Sequence, residues 1–215
     1  MHTISSQITS DKFTENLNKE LITASIRCAE DASALWEAFR AGDQHSFTLL
    51  YYSHIDRLYH YGERLTDDIA LIEDCLQDLF AELWTRQAQL PEVNAVKFYL
   101  FKALKRKIIK KLVQQQSLSS DDGLAEGYNF EITLSSEFDL IDLHVSQQQR
   151  QQLLQAINQL THRQKEAITL YFYDGFSYQE IGEIMAMETR SVYNLVYRAL
   201  ASLRGFLTAL LEPSV

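Results

Sequence analysis

The chain has 215 residues, of which 46% are hydrophobic and 23% charged, so the composition is that of a globular protein and excludes wholesale disorder. Only 7 Gly and 2 Pro are present, which favours helices over strands. No signal peptide and no run of about 20 apolar residues is found, so we expect a cytoplasmic protein without membrane insertion. Cys28 and Cys75 lie far apart and are predicted to be reduced thiols.

The net charge of −9 is unevenly distributed. Residues 97–111 carry seven basic side chains and no acidic one, whereas residues 114–147 carry seven acidic side chains and no Lys or Arg. A basic segment beside an acidic one can present separate faces to separate partners.

Taken in chain order, residues 1–32 are predicted to form a tail or an accessory helix. Residues 33–113 show helical periodicity from Leu35 onward, with a break at Gly42-Asp43 and a new helix after Thr66-Asp67-Asp68. A fourth helix is expected from about Ala95 to Val113. This block is predicted to be a compact helical domain.

Residues 114–147 have no clear period and read as an acidic linker. Its apolar side chains are candidates for local docking: Tyr128, Phe130, Ile132 and Leu134. A coil of this length can span tens of ångströms, so its acidic residues are also able to fold back over the basic segment.

A second helical domain is expected over 148–215. Thr161-x-x-Gln164 and Ser177-x-x-Glu180 are typical of N-terminal capping boxes. A turn at 186–188 then leads into a longer helix from Thr189. At about 100° per residue, the predicted inner face of that helix is Val192, Val196, Ala199, Leu200 and Leu203.

The opposite face of that helix presents Arg190, Asn194 and Tyr197, which suits the second helix of a helix-turn-helix in the major groove. Arg190 is a candidate partner of guanine, and Asn194 of adenine. The same periodicity fits a plain two-helix corner in a bundle equally well.

Enzyme chemistry finds no support in the motifs. The sequence has no Gly-rich phosphate loop and no G-x-S-x-G, and its six histidines are scattered without metal spacing. We therefore expect no catalytic residue, metal or cofactor.

Two segments carry a family resemblance. LTHRQKEAITLYFYDGFSYQEIGEIMAMETRSVYNLVYRALASLR resembles region 4 of extracytoplasmic-function (ECF) sigma factors in the sigma-70 family. AGDQHSFTLLYYSHIDRLYHYGERL, IEDCLQDLFAELW and NAVKFYLFKALKRKIIKKL are similar, in order, to the helices of region 2. The resemblance implies an all-α protein of two small helical domains, a region 2-like bundle and a region 4-like helix-turn-helix, joined by the acidic linker.

That resemblance implies a sigma factor, not an enzyme, whose partners are core RNA polymerase and promoter DNA, with an anti-sigma factor as a further candidate partner. The polymerase-binding residues it implies are Glu73, Asp74, Gln77, Asp78, Phe80 and Trp84. The residues implied for the −10 element are Lys97, Lys102, Lys105, Arg106, Lys107, Lys110 and Lys111. Those for the −35 element are Thr189, Arg190, Ser191, Tyr193, Asn194, Tyr197 and Arg198.

The sequence also departs from the family pattern. Lys105-Arg106 stands where the −10 helix commonly has a basic residue followed by Asn, and Tyr193 and Leu195 stand where Lys and His are frequent. Ala186 occupies a turn position that is usually Gly. These departures leave open a degenerate sigma-like regulator that reads promoters weakly. A helix-turn-helix regulator with a helical sensor domain is the other alternative.

Overall fold

The structure, a computed structural model, describes residues 32–93, 95–117, 128–132 and 147–211. Across these ranges the ordered elements are all helical, which confirms the all-α prediction. The helices are α1 (32–40), α2 (Gln44–Leu65), α3 (Ile69–Thr85), α4 (Val96–Ser117), α5 (Gln147–Asn158), α6 (His162–Ile168), α7 (Tyr178–Met185) and α8 (Thr189–Leu211). None of the helices within those ranges is long and apolar enough to cross a membrane.

Contacts group the described residues into two compact units. The first holds the described residues up to His60 together with Glu73–Leu104, and the second holds Tyr61–Ile72 together with the described residues from Lys105 onward. The functional domains predicted at 33–113 and 148–215 are not the same division, and their boundaries stay a prediction.

The first unit is built around buried aromatic side chains. Trp36 and Phe39 of α1 are 1% and 0% exposed, and their rings are 5.9 Å apart. The Trp36 indole N–H donates to the carbonyl oxygen of Pro91 at 2.9 Å, which satisfies the polar edge of a buried ring. Gly42, at φ 101°, ends α1, and the Asp43 carboxylate accepts the Ser46 N–H at 2.9 Å. The predicted break at Gly42-Asp43 is therefore confirmed.

In the second unit both predicted capping boxes are present. The Thr161 hydroxyl accepts the Gln164 N–H while the Gln164 side chain accepts the Thr161 N–H. Ser177 and Glu180 form the same reciprocal pair at the start of α7. Between them, a π-helical turn over Thr169–Tyr173 extends α6.

Residues 128–132, in the middle of the predicted acidic linker, are part of the second unit. Phe130 is 0% exposed, and Ile132 packs against the core cluster of Leu160, Ile168 and Ala199. Local docking of these apolar residues is thus confirmed for Tyr128, Phe130 and Ile132; Leu134 lies outside the described residues. The fourth helix also runs further than predicted, to Ser117, because Gln is a good helix former.

Candidate polymerase and nucleic-acid interfaces

The helix α3 presents an acidic edge beside an aromatic cleft in the first unit. Glu73, Asp74, Gln77 and Asp78 are exposed, whereas Cys75, Leu76, Leu79 and Leu83 on the opposite side are buried. A cleft of about 680 Å³ opens along this edge. Its lining comprises Phe47, Tyr51, Ile55, Tyr59, Glu73, Leu76, Gln77, Phe80, Ala81 and Trp84.

The two aromatic residues predicted to bind polymerase differ in exposure. Trp84 is 40% exposed, with its ring 5.0 Å from that of Phe47. Phe80 is only 6% exposed, and its ring lies 4.7 Å from that of Tyr51. Phe80 therefore forms the floor of the cleft, while Trp84 stands at its edge. Together with the acidic edge, these two residues are called the polymerase face below.

The seven basic residues of α4 do not share one environment. Lys97 and Lys102 are partly exposed, and their ammonium groups lie 5.6 Å from the Phe101 ring and 5.3 Å from the Phe98 ring, within cation–π range. Phe101 itself is buried. Arg106 and Lys110 are exposed, and Lys107 and Lys111 are partly exposed.

Lys105 is the exception in this set, because it points into the protein. The residue is 5% exposed, and its ammonium donates to Glu166 Oε1 at 2.6 Å and to the Tyr128 hydroxyl at 3.0 Å. Burial lowers the pKa of Lys105, an effect that the negative charge of Glu166 opposes. In this arrangement Lys105 is not available to a phosphate, contrary to the expectation that it lies on the DNA surface.

Glu166 is the centre of this buried cluster. Its side chain is 0% exposed, and in addition to Lys105 it accepts the Tyr61 hydroxyl at 2.8 Å and the Tyr128 hydroxyl at 2.5 Å. Burial, and next the Glu166 charge, raise the pKa of Tyr61 well above its ordinary value. Sequence reasoning did not single out Glu166 or Tyr61. The only signal for the cluster was the docking expected of Tyr128.

A second ion pair lies beside the cluster. The Lys165 ammonium is buried and donates to Glu131 Oε2 at 2.9 Å. This bond is the main reason why the pKa of Glu131 lies below its ordinary value. The backbone N–H of Glu131 donates to the Arg64 carbonyl oxygen at 2.9 Å. One acidic linker residue is therefore bound to α6 and to the end of α2.

The helix-turn-helix is present as predicted. After α7, Ala186 adopts the left-handed conformation at φ 53°, ψ 49°, and the Met187 N–H donates to the Gly182 carbonyl oxygen at 2.8 Å. A Cβ on Gly182 would stand 2.8 Å from the Met187 carbonyl oxygen, so the turn requires glycine there. The tight turn leads directly into α8.

Helix α8 has an inner and an outer face. Val192, Val196 and Ala199 are at most 1% exposed, which confirms their assignment to the inner face. Leu203 is partly buried against the core, but Leu200 is 43% exposed, so its assignment to the inner face was wrong; the buried stripe is narrower than expected. The residues predicted to contact DNA are exposed except for Ser191, which is partly buried: Thr189, Arg190, Ser191, Tyr193, Asn194, Tyr197 and Arg198. They are called the reading face below.

Aromatic stacking supports one residue of the reading face. The rings of Tyr171 and Tyr178 stack with their centres 4.7 Å apart and an interplanar angle of 3°. The centre of the Tyr178 ring lies 5.7 Å from that of Tyr193, in an edge-to-face arrangement. Burial, then the hydrogen bond with Tyr171, raises the pKa of Tyr178. Tyr193 is thereby braced from α7 and the π-helical turn, although 55% of it remains exposed.

Comparison with known proteins identifies both halves of the chain. A family model described as sigma-70 region 2 matches residues 50–118, and one described as sigma-70, region 4 matches residues 150–203. The ECF RNA polymerase sigma factor SigK of Mycobacterium ulcerans is 21% identical over 182 residues, which cover 84% of this chain and 96% of that protein. SigK of Mycobacterium tuberculosis is 22% identical over 189 residues, covering 86% and 98% respectively.

Solved structures show the same fold. CnrH, solved in complex with the cytosolic domain of CnrY, matches with a TM-score of 0.52 and 17% identity over 84% of this chain and 98% of its own. The sigma factor RpoE of Bartonella quintana, solved with the anti-sigma factor NepR, matches with a TM-score of 0.53 and 21% identity, over 75% and 96%.

The two family models lie in the order and at the places where the resemblance was seen. The region 2 match includes α3 and α4, a part of the chain that a sensor domain would not explain, so an ordinary helix-turn-helix regulator is not favoured. The relatives align over nearly their whole length. The chain therefore belongs to the sigma-70 family, as an extracytoplasmic-function sigma factor.

Proposed function

We propose that this sigma factor holds core RNA polymerase on the polymerase face of α3, contacts the −10 element through α4 and reads the −35 element with the reading face of α8. As a sigma factor, the chain binds core polymerase and directs promoter recognition and transcription initiation. What is proposed is which residues do so. The functional domains at 33–113 and 148–215, with the linker at 114–147, are part of the proposal.

The observation that carries the proposal is the division of α8 into two faces. Val192, Val196 and Ala199 are buried, so the helix cannot turn its other side inward without breaking its core. Arg190 and Asn194, near its N-terminus, are exposed. Those positions of a recognition helix meet base edges in the major groove, where Arg suits guanine and Asn suits adenine.

On α3, a large cleft beside exposed carboxylates supports polymerase binding. An exposed tryptophan at the edge of an apolar cleft is typical of an anchor residue in a protein interface. Asp74 and Asp78 add negative charge, which favours a basic partner surface. The polymerase clamp offers such a surface in the family that the chain resembles.

Helix α4 supports contact with DNA by charge. Six of its seven basic residues are exposed or partly exposed, and neutralising phosphates by such side chains makes binding strongly salt-dependent. Lys105 is assigned to this surface only once its contact with Glu166 is broken.

Three further assignments follow from the sigma-factor function. The chain acts as a regulator and not as an enzyme, and it works in the cytoplasm, where RNA polymerase does. CnrH and RpoE were each solved with a partner, and RpoE's partner is an anti-sigma factor. We propose that an anti-sigma factor binds this chain too and competes for the polymerase face and α4.

The test is transcription by purified core polymerase on a library of genomic promoter fragments, with and without the protein. We expect a restricted set of promoters to be used, sharing an upstream and a downstream element. Asp78→Lys should weaken core capture. The matched control, Asp56→Lys, makes the same charge change on an exposed residue of α2 that lies outside the polymerase face. Equal capture by both variants would refute the polymerase face.

A further inference from the structure

The Glu166 cluster joins the two family regions to each other. Lys105 and Tyr61 belong to the segment matched as region 2, and Glu166 belongs to the segment matched as region 4. Tyr128 comes from the linker between them. All four residues lie in the same compact unit. One fully buried carboxylate thus receives hydrogen bonds from a region 2 ammonium, a region 2 hydroxyl and a linker hydroxyl.

Such a cluster is stable when every hydrogen bond is made, and the loss of any one of them destabilises it. A buried carboxylate is costly unless it is paired and its remaining lone pairs are filled. Glu166 has both: one ammonium at 2.6 Å and two hydroxyls at 2.8 Å and 2.5 Å. The loss of any donor leaves a partly satisfied charge inside the protein. Separation of the two regions, by contrast, returns Lys105 and Glu166 to water, where both are solvated.

The linker segment Tyr128–Ile132 closes over the cluster. Tyr128 donates to Glu166, and the Lys105 ammonium lies 4.7 Å from the centre of the Tyr128 ring. Phe130 is 0% exposed, with its ring 6.2 Å from that of Tyr61. The ion pair of Glu131 with Lys165 fixes the same segment to α6. Water is thereby kept from the carboxylate, and the segment would have to leave for the cluster to open.

We propose that Glu166, Lys105, Tyr61 and Tyr128 form an internal latch that holds the C-terminal half of the basic helix α4 against region 4 in the free protein. While the latch is closed, one cation of the basic helix is neutralised by Glu166 and turned away from DNA. Binding of core polymerase separates the two regions, releases the latch and frees Lys105. The consequence for DNA binding rests on the proposed function of α4, but the latch itself does not.

The sharpest perturbation removes hydrogen bonds without changing charge. The double substitution Tyr61→Phe with Tyr128→Phe deletes two donors to Glu166 and preserves both rings and the net charge. A hydrogen bond to a charged group changes an equilibrium constant by roughly tenfold or more, so the closed form should lose most of its advantage. The matched control is Tyr52→Phe with Tyr59→Phe, two tyrosines of α2 outside the cluster.

Two measurements on the full-length protein without polymerase test the proposal. Small-angle scattering reports whether the chain expands, and fluorescence anisotropy with a short duplex of unrelated sequence at low salt reports DNA affinity. We expect the latch variant to have a larger radius of gyration and a DNA affinity at least about tenfold higher. The control pair should match the parent. Once core is bound, the latch variant should support parental transcription.

Each outcome decides the proposal. The latch is refuted if the variant, with a circular dichroism spectrum that matches the parent, shows no expansion and no tighter DNA binding. Tighter binding without expansion refutes it as well, because the gain then has another cause. Expansion without tighter DNA binding supports the latch and instead refutes α4 as a DNA surface. Glu166→Gln provides a second variant if the tyrosine pair does not fold, with Asp67→Asn, at an exposed residue, as its charge-matched control.

Discussion

The geometry of the turn in the helix-turn-helix predicts opposite effects on stability for substitutions at Ala186 and Gly182. Ala186 adopts the left-handed conformation, which costs a residue with a Cβ roughly 1–2 kcal/mol. Glycine removes that cost, but its greater backbone freedom stabilises the unfolded state by about 0.4–1 kcal/mol. Ala186→Gly should therefore stabilise the protein by about 0.5–1 kcal/mol.

Gly182→Ala should do the reverse. In an unobstructed helix the change would stabilise by about 1 kcal/mol. Here the new Cβ would meet the Met187 carbonyl oxygen at 2.8 Å and the Thr189 nitrogen at 3.5 Å. Met187 cannot move away freely, because its N–H donates to the Gly182 carbonyl oxygen at 2.8 Å. Forced overpacking costs about 1–3 kcal/mol, and the helix-propensity gain of about 1 kcal/mol offsets part of this cost. We therefore expect a net loss of up to about 2 kcal/mol.

Gly205→Ala is the control for helix propensity, because a Cβ there meets nothing within 4 Å. It lies on α8 and should stabilise by up to about 1 kcal/mol. Urea unfolding followed by circular dichroism gives the free energies, and hydrogen exchange of the α8 amides assigns the change to this domain. The explanation of the turn fails if Gly182→Ala is as stable as Gly205→Ala, or if Ala186→Gly is less stable than the parent.

Three further predictions concern DNA. Arg190→Ala or Asn194→Ala should relax preference at one or two positions of the −35 element, at a loss of about 1–3 kcal/mol for a good bidentate contact; unchanged sequences selected from a randomised element would refute base reading. Arg106→Ala should weaken holoenzyme binding evenly across promoters and lower the salt dependence of the binding constant by about one charge. Lys110→Ala, at another exposed residue of α4, is the control and should have the same effect. An altered −10 preference in the Arg106 variant would show that Arg106 reads a base instead. Neutralising the acidic linker should raise DNA binding by the free protein at low salt, where screening is weakest, with little effect on the holoenzyme; equal binding at low salt would leave the linker as a solvated tether. The residues to neutralise in that variant are Asp121, Asp122 and Glu126. Glu131, the fourth acidic residue of the predicted set, is left unchanged because it pairs with Lys165.

Local signals in the sequence predicted local structure well. The two capping boxes, the turn before Thr189 and the inner positions Val192 and Val196 depend on residues three or four apart. Periodicity and side-chain hydrogen bonding decide such features without the rest of the chain. Leu200 was placed wrongly because periodicity gives only the direction of a side chain. Whether another element covers it depends on tertiary packing.

The latch could not be predicted in this way. Tyr61, Lys105, Tyr128 and Glu166 are 105 residues apart at most, and no period links them. The sequence pattern predicts that a Lys within a run of basic residues is solvated or faces DNA, and that a Glu on a short helix is exposed. Their burial becomes plausible only when the fold brings the opposite charges together, because a charge is buried only with its partner.

The departure at Lys105-Arg106 acquires a physical explanation from the same contacts. Successive residues of a helix point about 100° apart, so a pair cannot face the same way. Leu104 and Ile108 are both 0% exposed. Lys105, about 60° around the helix from Ile108, lies at the edge of that buried side and is 5% exposed, while Arg106 is turned outward. On the proposed DNA contact through α4, Arg106 is therefore the member of the pair that faces DNA in the free protein, and Lys105 joins it only after its contact with Glu166 is broken. Of the seven basic residues of α4, the free chain therefore offers six to DNA on this proposal. The seventh, Lys105, would become available when the two regions separate.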